Sequence, residues 1–188
     1  MSRARAVRSA GGCAVLAVLA VLAAGCTAPA PDVDPGLRKA VQPVVHEALV
    51  AGLQKEGGLL ADSSLAAGAR WFCAEKVVEI RETHDGTLRV GLDAICAELT
   101  SRDRTLVQGT GVRAPWVMEL TEDGRGGYRV RRQDCPPDGA GYDEWIGRSF
   151  SEGGAEVVRH GDWDGTATIE ATARAQFRLP ADAPVTTL

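Results

Sequence analysis

Three histidines, five cysteines and a scatter of carboxylates are the groups in this 188-residue chain with the chemistry to form a site. Histidine catalysis needs an orienting partner and a nucleophile within hydrogen-bond reach. His46 stands beside Glu47 in a helical pattern, His84 at a hairpin signal and His160 beside Gly161 in an expected loop. No G-x-S-x-G, H-E-x-x-H or S-x-x-K spacing accompanies them, so each reads as a solvated surface residue. No two cysteines form C-x-x-C and no histidine lies at ligand spacing from one, so no metal or other cofactor is expected. Asp162, Asp164 and Gly165 lack the spaced acids and terminal Glu of a calcium loop and read as a turn. Gly124 to Gly127 separates two strand patterns and opens no helix, so it is a turn and not a phosphate cradle. Glu75, Asp93 and Glu98 would line a pocket only if a sheet curled around one; carboxylates facing water are the plainer expectation. Of the tryptophans at 71, 116, 145 and 163, Trp116 beside Pro115 is the one singled out, with Glu98, as a possible pocket residue.

The remaining chemistry lies near the N-terminus. Arg3, Arg5 and Arg8 precede Ala14–Ala24, a run of Ala, Val and Leu alone. That run is shorter than the ~20 residues a spanning helix needs, and it ends in Leu22-Ala23-Ala24-Gly25-Cys26. Residues 1–25 therefore read as an export signal. The small residues before Cys26 resemble the lipobox of bacterial lipoproteins. The branched residue stands four places before the cysteine instead of the usual three, and ordinary cleavage near Ala28 is the alternative. The resemblance implies a diacylglycerol on Cys26 and anchoring at the outer face of the cell membrane. Two acyl chains suffice for stable attachment. Pro29, Pro31 and Pro35 then mark 26–35 as an extended tether, at ~3.1 Å per residue, lifting the domain off the headgroups.

Composition narrows what the rest can do. At 45% hydrophobic and 24% charged the chain is globular in type, and 36–180 suits one domain, with 181–188 as a flexible tail. Formal net charge is −4. Loss of the leader removes three arginines and leaves 18 basic against 25 acidic residues, a net of −7. Nucleic acid demands a basic surface and is excluded as a partner; anionic lipid heads gain no electrostatic attraction.

These residues must be positioned by an α+β fold. Asp34-Pro35 is a helix start, and Leu37, Val41, Val44, Val45, Ala48 and Leu49 follow at helical spacing, with a kink expected at Pro43. A second, alanine-rich helix is expected over 59–70. Strands follow at 71–82 and 88–96, joined by the Asp85-Gly86 hairpin signal, then at 105–120 with a bulge or bend at Pro115, and at 128–132. Leu88, Val90, Leu92, Ala94 and Cys96 alternate with Arg89, Gly91 and Asp93, which predicts one buried and one wet face. The meander of about four antiparallel strands is expected to carry the N-terminal helices on one face. C-terminal helices are read from Tyr142, Trp145, Ile146 and Phe150, and from Ile169, Ala173 and Phe177.

Several of these features together carry a resemblance: cysteines on the first two strands, with Cys96-Ala97-Glu98; Gly109, Gly111 and Pro115; Gly127-Tyr128-Arg129-Val130; and Pro137-Asp138-Gly139 with Tyr142 and Phe150. Over roughly 70–150 they look like a group of small lipoproteins of high-GC Gram-positive bacteria for which no activity is established. The resemblance implies a cystatin- or NTF2-like helix-plus-curved-sheet domain and a cross-strand disulfide; Cys135 before Pro136 departs from it. With Cys13 in the leader and Cys26 lipidated, Cys73, Cys96 and Cys135 remain. A two-residue loop at Asp85-Gly86 places Cys73 and Cys96 on one face. Matching Phe72, Ala74, Val78 and Ile80 with Leu88, Val90, Leu92 and Ala94 needs an odd loop, which places them on opposite faces; a bulge near Lys76 reconciles the two. Cys73–Cys96 is the favoured pair, with free buried cysteines or a Cys96–Cys135 link as alternatives. The leading functional expectation is a membrane-anchored, non-catalytic envelope domain that binds an envelope protein or small ligand. The alternatives are an isomerase or hydrolase using carboxylates in an NTF2-like cavity, and a structural envelope component.

Overall fold

The computed structural model describes residues 28–55, Leu65 and residues 68–188. Asp34 caps the first helix as its type predicts: its Oδ1 accepts from the Leu37 amide at 2.7 Å and its carbonyl from the Arg38 amide at 2.9 Å. Pro35 then opens α1 (Pro35–Lys55), which continues as one element through Pro43. Val41, Val45, Leu49 and Leu53 recur every fourth residue and form its buried stripe. The second helix expected over 59–70 falls largely outside the described residues, and Arg70 already belongs to a strand.

Four strands, β1 (Arg70–Glu82), β2 (Leu88–Arg102), β3 (Thr105–Glu122) and β4 (Tyr128–Asp134), form an antiparallel meander in chain order. A fifth, β5 (Val185–Thr187), lies parallel to Leu106–Gln108 of β3, so part of the segment expected as a tail is a strand. The sheet curls around α1. Val50 and Gln54 share a cleft with Arg70, Trp71 and Phe72 of β1, while Gly52 lies against Gln133 of β4. No bulge forms at Pro115, which pairs in register with Asp93; the irregularity falls between Ala97 and Leu99. β4 and β5 flank β3 only at 117–122 and 106–108. Pro115 thus sits where β3 has a strand neighbour on one side, the place where a missing amide is tolerated.

The β1–β2 hairpin resolves the register question that its sequence poses. Thr83 pairs with Thr87 (N to O, 2.8 Å), leaving His84, Asp85 and Gly86 as a three-residue loop in place of the two-residue one. Gly86, at φ +76°, supplies the left-handed residue such a loop requires. Asp85 accepts from the Thr83 hydroxyl and the Thr87 amide, which hold its carboxyl down to about 2. The odd loop matches Ile80 with Val90; a bulge between Val77 and Glu79, close to the Lys76 position expected, then shifts the register by one. Cys73 arrives directly opposite Cys96, with Cα atoms 4.1 Å and sulfurs 2.09 Å apart.

The expectation of one wet face is overturned. α2 (Tyr142–Ser149), α3 (Glu152–His160) and α4 (Thr166–Gln176) cover the face opposite α1. Phe72, Ala74, Leu99 and Leu106 pack with Ile169 and Ala173, and Val78 and Val117 pack with Trp145, Ile146, Phe150 and Val158. Trp71, Cys73, Val77 and Ile80 point the other way, to α1. With both faces buried, alternation names no single greasy side, and the set assumed for β1 divides between them. No helix was expected at α3, whose first turn carries Gly153-Gly154; a side chain at Gly153 would collide with the Pro29 carbonyl. Residues 28–35, expected as free tether, therefore lie along the domain, with Pro29 against α3 and Val33 in the core under α1.

Candidate functional site

Two acids on the newly buried face are engaged in holding the fold together. Glu79, next to the bulge, has a side chain 3% exposed; it accepts from the Ser151 amide at 3.1 and 3.2 Å and from Arg81 at 2.9 Å. Ser151 is in turn the N-cap of α3, so the carboxylate sits at the positive end of that helix. Asp93 accepts from Arg113 at 2.9 Å and from the Trp163 indole at 2.6 Å, and Arg113 also donates to the Gly161 carbonyl. These contacts fasten the α2–α3 and α3–α4 connections to the sheet. Asp164 accepts from the Thr166 amide at 2.8 Å in a local turn that lowers its pKa, and Asp162 faces Lys76 at 3.5 Å. Among the described residues no group of three His, Cys, Asp or Glu side chains is placed to hold a metal ion.

A different pair stands at an opening. Between α1 and β1 lies a groove of about 560 Å³ lined by Pro35, Arg38, Lys39, Gln42, Pro43, His46 and Glu75. Positions 35, 38, 39, 42, 43 and 46 form one stripe of α1 by the 3.6-residue period, on the flank that overhangs β1. β1 is itself a sheet edge, with no strand on its outer side among the described residues. Glu75 shares the α1-facing side of β1 with Cys73 and Val77, and its side chain is only 4% exposed. His46, 45% exposed, meets it at 2.9 Å through Nδ1. The hydrogen bond to Glu75, joined by its charge and opposed by partial burial, raises the His46 pKa. Pro43 removes the amide that would bond the Lys39 carbonyl in a regular helix.

This arrangement gives a histidine oriented by a buried carboxylate, its Nε2 left for the groove, with two cations, Arg38 and Lys39, along the same wall. The lining offers no hydroxyl or thiol, so the groove's chemistry is acid–base exchange at His46 or electrostatic capture of an anionic group. The sequence separated the two partners by 29 positions and read His46 as solvated. The available signal was Glu75 itself, an acid two residues from Cys73 and Val77 on a core-facing register.

The other expected residues lie elsewhere. Trp116 is 6% exposed, opposite Leu92 in the core beneath α1. Glu98 is buried on the same face, opposite Trp71. The two stand six β2 positions apart, about 20 Å, and neither lines the groove. His84 is exposed in the hairpin loop; His160 ends α3 instead of lying in a loop, its ring bonded to the Glu156 carbonyl. Cys135 is half-buried at the margin of the α1 core, outside the disulfide. Cys26 and the residues before it, where the export signal was expected, lie outside the described residues. No helix among the described residues is long and apolar enough to cross a membrane. Compared with known protein families, with curated proteins and with solved structures, the chain matches none.

Proposed function

We propose that this chain is an extracytoplasmic lipoprotein, held by a lipid on Cys26 at the outer face of the cell membrane, whose domain is a non-catalytic binding module of the envelope. One observation supports the binding reading above the others. Val90, Leu92, Met118 and Leu120, which would line a cavity within the curved sheet, are 0% exposed because α1 fills it. A groove of about 560 Å³ lies open between α1 and β1, where Arg38 and Lys39 outnumber Glu75 in a chain of net charge −4. Such a local excess of cations favours an anionic contact. The leader pattern of Arg3, Arg5, Arg8 and Ala14–Cys26 supports the location.

The location is tested by metabolic labelling with a lipid precursor: wild type takes the label and Cys26→Ser does not. The groove is tested by placing a photo-crosslinking residue at Gln42 in living cells, with Glu144 on α2 as control. A discrete adduct at Gln42 alone, lost on Arg38→Glu/Lys39→Glu, is the expected result; identical patterns at both positions refute it. An acid–base enzyme is the second reading, favoured by the His46–Glu75 pair. It requires turnover that disappears in His46→Ala, whereas a binder loses affinity only.

A further inference from the structure

The packing of Pro29 against the domain limits how far the domain stands from its anchor. Pro29 is packed on α3, its carbonyl where a Gly153 side chain would be, and Ala28 and Ala30 line a cleft of about 280 Å³ with Lys76, Gly153, Val157 and His160. Three peptide units separate Cys26 from Pro29. Whatever their conformation, covalent geometry allows them at most about 11 Å between Cα atoms. A diacylglyceryl group on the Cys26 sulfur places that residue at the headgroup level, a layer roughly 5–8 Å deep on each side of the hydrocarbon.

We infer that the domain rests on the membrane with the α3 face down, against the phospholipid headgroups, and is not held away on a mobile tether. The inference rests on the Cys26 lipid proposed above and adds an orientation to it. Phospholipid is the occupant of this face because the chain's own anchor, about 11 Å away at most, delivers it there. The charged residues at hand, Lys76, Arg159, Glu152, Glu156 and Asp162, with His160 beside them, are mixed in sign with acids in excess. Charge therefore contributes no net attraction to anionic lipid, and the acyl chains hold the face in place. α1 lies across the sheet from α3, two packed layers or about 20 Å further out. Its outer side, at Glu47, points toward the aqueous phase.

The test uses lipidated full-length protein carrying Cys135→Ser, in phosphatidylcholine vesicles containing a headgroup-nitroxide lipid. A bimane label is attached at His160→Cys or at Glu47→Cys. Quenching at position 160 at least threefold stronger than at position 47 is expected. Inserting ten Gly-Ser residues between Thr27 and Ala28 brings the two to the same level. Equal quenching at the two positions in the uninserted protein, with the lipid on Cys26 verified by mass, overturns the orientation and leaves the anchor standing. An N-terminal peptide without lipid overturns both.

Discussion

The Cys73–Cys96 bridge carries a stability whose size follows from where it closes the chain. Its cysteines are 23 residues apart. In the chain-entropy treatment, closing a loop of that length removes about 11 cal/mol/K from the unfolded ensemble, or about 3.4 kcal/mol at 25 °C. The folded state loses little when the bridge goes, because the cysteines are directly opposite on a continuous ladder and the strands stay paired on both sides of them. A domain of this size unfolds with an entropy of about 0.3 kcal/mol/K. Cys73→Ala/Cys96→Ala is therefore expected to melt about 10 °C below the parent. Scanning calorimetry of parent and variant, each with and without dithiothreitol, isolates the effect: reductant lowers the parent to near the variant and leaves the variant unmoved. The urea m-value rises in the variant, since an uncrosslinked unfolded chain exposes more surface. A melting point within about 2 °C of the parent, or a reductant effect that survives the double substitution, refutes the reasoning. So does a Cys96–Cys135 peptide in a non-reducing digest.

Three more outcomes follow from particular contacts. The His46 pKa is raised by Glu75, so the folded state favours the protonated ring. The pair's contribution is complete below the unfolded value of about 6.5 and is lost as pH rises through the higher folded one. Melting temperatures between pH 5.5 and 8.5 should accordingly fall more in wild type than in His46→Gln; superimposable profiles contradict the pairing. At the β2–β3 turn Asp103 and Arg104 have φ of 48° and 62°, a left-handed geometry that disfavours side chains. Arg104→Gly should raise stability by about 0.5–1 kcal/mol in urea titrations, and a loss of that size counts against the turn. Arg113→Ala leaves Asp93 buried with one donor fewer and should cost about 2–3 kcal/mol, below the full buried-pair penalty because Arg113 is 40% exposed. In a double-mutant cycle with Asp93→Asn the two losses should fall short of additivity by about 1–2 kcal/mol; strict additivity rules out the coupling.

Much of the backbone plan was legible along the chain. Asp34-Pro35 starts α1 where a cap and a proline belong, because capping is decided within four residues. The four meander strands and their turns follow from short-range signals of the same kind. The residues at 142–150 announced α2 through period, with Trp145 and Ile146 buried as spaced. The proposed leader likewise rests only on local order of charge, length and small residues.

Tertiary structure decided the rest, because burial depends on which layer arrives from far along the chain. Asp93 read as a wet residue, and it and Glu79 are buried only because α2, α3 and α4 close over the second face. Glu75 found His46 because a bulge at Val78 and a three-residue loop together set a register that neither determines alone. Pro29 and Val33 carry the composition of a free tether, yet Gly153 leaves a place that the backbone fills. Local sequence specifies what each segment prefers to be; which side chains meet is a sum over contacts between segments, and no window of residues contains that sum.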